Sequence, residues 1–234
     1  MNNKLYYYVR KKGFPVNHVA EVGVYYPETS NILDFINNGV RSTLVEADPL
    51  CVERIDAYFK RKSNVKIYPY AIWDKNETVV LYRAKASTFI GSLENSPALV
   101  NDNYHLKDED KFVAEGKVFS DIDDGTIDLL SIDIEGAEWY VIKHLRSQPS
   151  VISLEMQADT YVNPHLKEIN DWMKNNEYKL WFFNDTDAIY LKDCVVQFDL
   201  FERVGLFLYN LMVHSGHNIR KIRKKIKNKL IPKK

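Results

Sequence analysis

Residues 128–138, Asp-Leu-Leu-Ser-Ile-Asp-Ile-Glu-Gly-Ala-Glu, constrain the fold more than any other part of the chain. The apolar run reads as a strand buried inside a parallel sheet. It ends on Asp133, Glu135 and Gly136, and residues 137–145 then carry helical spacing. A strand, an acidic turn and a helix in that order place two carboxylates at the C-terminal edge of a sheet, where open α/β sheets bind their ligands. The plainer alternative is that either acid caps the helix behind it, and one carboxylate can do both.

The rest of the body alternates in the same way. Strands are expected at residues 19–24, 42–48, 65–72 and 78–84, with helices at 28–38 and 51–61. Period is lost over about 85–117, where Gly91, Pro97 and clustered Asn, Asp and Ser predict an irregular insertion, either functional or disordered. It returns with strands at 127–134 and 151–156 and a helix at 164–176. Residues 179–183 and 188–192 flank Asn-Asp-Thr-Asp and read as an antiparallel hairpin at the sheet edge. The expectation is one α/β domain over residues 1–200, a mostly parallel doubly wound sheet with an antiparallel terminal hairpin. Its ligand belongs at the switch point above the first strand.

Charge separates the body from the tail. Lys plus Arg and Asp plus Glu both total 32, but nine of the basic residues and none of the acids lie at or after His217. The body is therefore about nine charges negative, which excludes nucleic-acid binding by bulk charge. Beyond residue 201 an apolar stretch at 206–213 leads into a basic helix, with Ile219, Ile222, Ile226 and Leu230 on one face. Such a helix suits the surface of an anionic membrane or an acidic partner, or else packs as a plain solvated tail. Two cysteines far apart, no signal-like start and no apolar span predict a cytoplasmic protein, peripheral to a membrane at most.

The first strand runs into Glu21-Val-Gly-Val-Tyr-Tyr-Pro-Glu-Thr-Ser30. Gly23 allows a close backbone approach to a ligand, and Pro27 can start a helix. The loop has neither the Gly-Lys-Ser/Thr end of a phosphate-cradling Walker loop nor the spaced glycines of a dinucleotide fingerprint. After the second strand, Glu46 is placed to accept hydrogen bonds from ribose hydroxyls, and Asp48 to cap the next helix. His105, in the insertion, is a candidate base, whereas His18, His144 and His165 read as surface or cap residues. The tyrosines at 6–8 and Tyr104 could stack on sugar rings, although aromatic residues are simply favoured in packing.

Together these pieces resemble the class I S-adenosylmethionine-dependent methyltransferases, and more narrowly the FkbM family. The resemblance covers about residues 17–193 and is strongest at Ile132-Asp-Ile-Glu-Gly-Ala-Glu138. Further matches are Val45-Glu-Ala-Asp-Pro49, Tyr70-Ala-Ile-Trp-Asp74, Gly91-Ser-Leu93 and Leu154-Glu155. It implies a Rossmann-like fold and methyl transfer from S-adenosylmethionine to a hydroxyl, often on a sugar of a glycan, polysaccharide or glycoconjugate. It also implies a cofactor site of Glu21, Gly23, Tyr25, Glu46, Ala47, Ala71, Ile72 and Asp133, in which Glu21 and Gly23 hold the methionine end, Glu46 the ribose, and Ala71 with Ile72 the adenine. Asp133, nearest the cofactor, would face the acceptor with Glu135 and Glu155, as general base or as ligands of a divalent cation such as magnesium. Glu21, Tyr25 and Pro27 stand where the family usually has Asp, Asn and a second Gly. That departure motivates an alternative, a non-catalytic module of the same fold used for binding or assembly.

Overall fold

The protein is described by a computed structural model covering residues 4–193, apart from 85, 86, 94, 95, 97, 98, 100–103, 156, 159, 160, 185 and 186. The apolar segment and basic tail expected at 201–234, and the middle of the Asn-Asp-Thr-Asp turn, lie outside the described residues.

The helices in chain order are α1 (Lys4–Lys12), α2 (Leu33–Asn37), α3 (Pro49–Phe59), α4 (Glu138–Lys143) and α5 (Leu166–Asn175). The first strands are β1 (His18–Val22), β2 (Arg41–Val45), β3 (Val65–Tyr68), β4 (Ala71–Ile72), β5 (Glu77–Ala84), β6 (Ser87–Ile90) and β7 (Lys111–Lys117). They are followed by β8 (Leu129–Ile132), β9 (Val151–Glu155), β10 (Gln157–Ala158), β11 (Tyr161–Val162), β12 (Tyr178–Asn184) and β13 (Asp187–Lys192). The main sheet has seven strands in the order β12-β13-β9-β8-β1-β2-β3. Its strands run parallel from β9 to β3, and β13 is antiparallel to both its neighbours. This is the doubly wound, Rossmann-like sheet with a terminal hairpin that the alternation predicts. Strands β1, β8 and β9 are buried throughout, so their apolar residues face protein on both sides. The order of the strands switches between β1 and β8, and their C-terminal ends open the crevice there.

Four local differences from the sequence reading have physical causes. The third strand stops at Tyr68, because Pro69 has no N–H to continue the ladder, and Ala71–Ile72 joins a second sheet of order β4-β7-β5-β6. The stretch at 85–117 is not wholly irregular: β6 and β7 belong to this second sheet, with Phe112 and Ala114 turned to the core and Val113 and Glu115 exposed. The helix expected at 28–38 is broken into a 3-10 turn at Pro27–Thr29 and the short α2, since Glu21 takes the Asn31 N–H and the Ser30 hydroxyl. His18 is buried, not exposed, with its ring nitrogens 2.9 Å from the Thr126 and Thr43 hydroxyls.

Helix α1 has no counterpart in the sequence reading. It buries Leu5 and Val9, one turn apart, and two of its tyrosines pack on the body, Tyr6 on Phe35 at 4.8 Å and Tyr8 on Phe182 at 4.7 Å between ring centres, while Tyr7 is exposed. No helix among the described residues is long and apolar enough to cross a membrane.

Candidate active site

The ends of β1, β2 and β8 are stitched together by backbone. Gly23 N–H donates to the Val45 carbonyl at 2.9 Å, and Asp133 N–H donates to the Val22 carbonyl at 2.9 Å. Gly23 has φ +84°, and a Cβ there would lie 1.8 Å from the Asp133 carbonyl oxygen. Glycine is thus required for the close approach of two chain segments, and a ligand gains a narrow backbone floor between them.

A cleft of about 940 Å³, counted with its open mouth, lies over this floor. From the first two strand ends it is lined by Glu21, Gly23, Tyr25, Glu46 and Ala47, and from further along by Ala71, Ile72, Asp133 and Glu135. Every residue expected at the cofactor site therefore borders one cleft. Glu155 stands just outside the lining but belongs to the same acidic cluster as Asp133 and Glu135. His105 does not join them. It is exposed and absent from the lining, while the adjacent Tyr104 packs on Phe89 at 5.9 Å and donates its hydroxyl to Asp110 at 2.5 Å.

Glu46 is the most heavily bonded side chain of the site. One carboxylate oxygen accepts the N–H groups of Val24 at 3.1 Å and Tyr25 at 2.8 Å. The other accepts those of Ala47 at 2.8 Å and Asp48 at 2.9 Å. Four donors fill the four lone-pair sites of a carboxylate. Glu46 first builds the loop, and it can take ribose hydroxyls only by sharing or exchanging the bonds from Val24 and Tyr25. Tyr25 is held at φ +52°, an uncommon conformation for a bulky residue, with its ring 3.9 Å from that of Tyr26. Asp48 caps α3 as expected, accepting Leu50 N–H at 2.9 Å. It also pairs with Arg83 through two bonds of 2.5 and 2.9 Å, which tie β5 of the second sheet to the end of β2. The hairpin β5–β6 then brings Leu81, Thr88 and Phe89 to the cleft.

Several partners escaped the sequence reading. Glu138, the last residue of the acidic motif, is buried and accepts the N–H groups of Ile134 at 3.2 Å and Gly136 at 3.0 Å. Asn163 donates to its other oxygen. This residue shapes the turn that presents Asp133 and Glu135. Asn31 bridges Ser131 at 3.2 Å and Asp187 at 3.1 Å beneath the Glu21 end, and nothing in the local sequence announces that pairing.

Electrostatics sets the protonation of these acids. Burial pushes Glu21 up to about 8; its bonds from Ser30 and Asn31 oppose that push, and the charges of Asp133 and Asp187 add to it. Burial also raises Glu46 and Glu138, against the backbone donors that favour their ionised forms. Glu155 is driven well above the carboxylate range by burial and then by Asp133, Glu135 and Glu138. Asp133 touches the water of the open cleft yet sits on its floor. Enclosure there and the charge of Glu138 raise it, while the hydrogen bond with Glu155 holds the rise down.

The Glu21 shift gives a pH test. A carboxyl whose folded pKa exceeds its unfolded value supports folding fully below the unfolded value, and that support is lost as pH rises through the folded one, here about 8. Glu21→Gln cannot titrate, so its Tm is expected to fall less than that of the parent between about pH 5 and about pH 9. Equal falls in the two proteins would refute the assignment.

The family model of the methyltransferase FkbM domain matches residues 18–180. No curated protein matches the chain in sequence. Among solved structures, a candidate caffeoyl-CoA O-methyltransferase from Staphylococcus aureus is 14% identical with a TM-score of 0.44, over 80% of each chain. A SAM-dependent methyltransferase from Aquifex aeolicus is 11% identical at 0.41, over 80% of this chain and 88% of that one. Fibrillarin from Aeropyrum pernix, with natively bound S-adenosylmethionine, is 10% identical at 0.39, over 74% and 65%. At these scores the likenesses carry no weight of their own beside the family match and the sheet order. The match spans well over half of the chain, and the protein belongs to the FkbM methyltransferase domain family.

Proposed function

We propose that this chain is an S-adenosylmethionine-dependent O-methyltransferase whose acceptor is a sugar hydroxyl of a glycan, polysaccharide or glycoconjugate. The observation that carries the reading is the carboxyl lining of the cleft, whose buried acids would ionise beside a bound cation. Glu21, Glu46, Asp133 and Glu135 line it, and among the described residues no Lys, Arg or His does. Such a site suits a cofactor that bears a sulfonium and an ammonium group. It disfavours the pyrophosphate of a dinucleotide, which calls for basic side chains or a glycine-rich helix start. When bound, S-adenosylmethionine supplies a methyl group that an oxygen nucleophile can take, the electron pair of the broken carbon–sulfur bond returning to sulfur and the hydroxyl proton being left for a base.

The residues then divide the work. Glu21 and Gly23 hold the methionine end, Glu46 the ribose, and Ala71 with Ile72 the adenine. Asp133, Glu135 and Glu155 face the acceptor, and one of them takes its proton; two of them could instead hold a divalent cation such as magnesium, which would acidify the sugar hydroxyls bound to it. Because the methyl group arrives activated, alignment of the acceptor contributes most of the rate, and a positioned base adds about 10²–10⁴-fold.

The test is incubation with methyl-tritiated S-adenosylmethionine and a panel of sugar glycosides and polysaccharides. Label in an alkali-stable ether, lost in Asp133→Asn, supports the reading. Label confined to nitrogen or to an alkali-labile ester overturns the acceptor class. A second reading, a non-catalytic binding or assembly module, is favoured by Tyr25 at φ +52° in the cleft and by the full set of donors on Glu46. It predicts that no cofactor binds. The basic tail would bring the enzyme to an anionic membrane, where lipid-linked glycans are presented. Removal of residues 218–234 is expected to abolish sedimentation with anionic liposomes, and unchanged sedimentation would sink the membrane contact.

A further inference from the structure

We propose that Arg83 is a positioning residue for the nucleoside half of the cofactor. Its ion pair with Asp48 holds the β5–β6 hairpin against the loop of Glu46, so that the hairpin forms a fixed wall of the cleft. The proposal rests on the S-adenosylmethionine reading for the identity of the ligand.

The pairing of β5 with β6 sets Leu81 opposite Ile90 and Arg83 opposite Thr88. Directly opposed residues of an antiparallel pair project from the same face, as do residues two apart along one strand. Leu81, Arg83, Thr88 and Ile90 therefore share one face of the hairpin. Leu81, Thr88 and Ile90 line the cleft. Leu81 and Ile90 also pack in one apolar cluster with Ala71 and Ala47, so this wall stands on the side where the reading puts adenine and ribose.

The small sheet is not laddered to the main one, so side chains set the place of the hairpin over the cleft floor. Arg83 supplies a directional contact. Its guanidinium donates two bonds, of 2.5 and 2.9 Å, to the two carboxylate oxygens of Asp48, and it lies 4.3 Å from the centre of the Phe112 ring on β7. The Asp48 side chain is only 4% exposed, and a planar fork bonded to an enclosed carboxylate fixes direction as well as distance. Asp48 is tied in turn to the ribose acceptor, since its N–H donates to Glu46 at 2.9 Å. Contacts in series from Arg83 through Asp48 to Glu46 thus couple the hairpin to the ribose loop. Glu21, at the methionine end, takes its donors from Ser30 and Asn31, outside this series.

The experiment is isothermal titration of the full chain with S-adenosylhomocysteine and with methylthioadenosine, which keeps the nucleoside and lacks the amino-acid end. Parent, Arg83→Met and Arg83→Lys are compared at a temperature where melting curves show each to be folded. Arg83→Met is expected to weaken both ligands by the same factor, about tenfold or more. Arg83→Lys keeps the charge but not the fork, and is expected to fall between that variant and the parent. Asp48→Asn, whose amide oxygen can still cap α3, takes the place of Arg83→Met if that variant does not fold. A residue that only braced the fold would lower Tm and leave both affinities unchanged in the folded protein, which would overturn the proposal and leave the methyl-transfer reading standing. A loss confined to S-adenosylhomocysteine would move the effect to the methionine end and overturn it as well. A parent that binds neither ligand would refute the reading itself, and the role of Arg83 with it.

Discussion

Gly23→Ala is expected to cost on the order of 4 kcal/mol or more of stability and to abolish cofactor binding. Two terms add. The position has φ +84°, where any Cβ costs about 1–2 kcal/mol. The Cβ would also stand 1.8 Å from the carbonyl oxygen and 2.8 Å from the carbonyl carbon of Asp133. These are backbone atoms of the turn that presents Asp133 and Glu135, so no side chain can swing aside and the strand ends must separate. Opening them breaks the bonds from Gly23 N–H to Val45 and from Asp133 N–H to Val22, and the cleft floor goes with them. Urea unfolding together with titration of S-adenosylhomocysteine measures both effects. An alanine variant within 1 kcal/mol of the parent, or binding within tenfold, would contradict this account of the floor.

The second large effect is expected at Glu46. Truncation to alanine removes the acceptor of four backbone N–H groups in two loops. An unsatisfied buried donor costs about 1–3 kcal/mol, and water entering the space left by the side chain recovers part of it. A loss of about 3 kcal/mol is therefore expected, with affinity for S-adenosylhomocysteine falling at least ~100-fold as both the loop and the ribose acceptor are lost. Glu46→Gln is the informative partner. Its amide NH₂ can replace only one carboxylate oxygen and would face two N–H donors, so it keeps two of the bonds and should fall between alanine and the parent. A glutamine variant indistinguishable from the parent would show that the carboxylate is not what holds Val24 and Tyr25.

The elements that were legible in the sequence are those whose cause is local. The buried strands of the parallel sheet announce themselves as apolar runs, and Asp133, Glu135, Glu46 and Gly23 follow from where such strands end. What escaped depends on contacts through space. The broken helix after Pro27 reads as continuous until Glu21, nine residues earlier, is seen to take the Ser30 hydroxyl. Strand β7 hides because Ala114 and Gly116 are too small and Lys111, Glu115 and Lys117 too polar to mark a period. His105 was a candidate for its place in the insertion, and it is exposed and stands outside the cleft lining. Asp187 meets Asn31 across 156 residues of chain, which no window of sequence spans.

The central claim is that the acidic cleft over Gly23 binds S-adenosylmethionine, and isothermal titration of the full chain with S-adenosylhomocysteine tests it most directly. The account predicts one molecule bound per chain, thermal stabilisation that grows with ligand concentration, loss of both in Glu46→Ala, and no response to NAD. A folded protein that gives neither heat nor stabilisation would contradict it and leave the chain a non-catalytic member of its family, with Tyr25 closing the cleft.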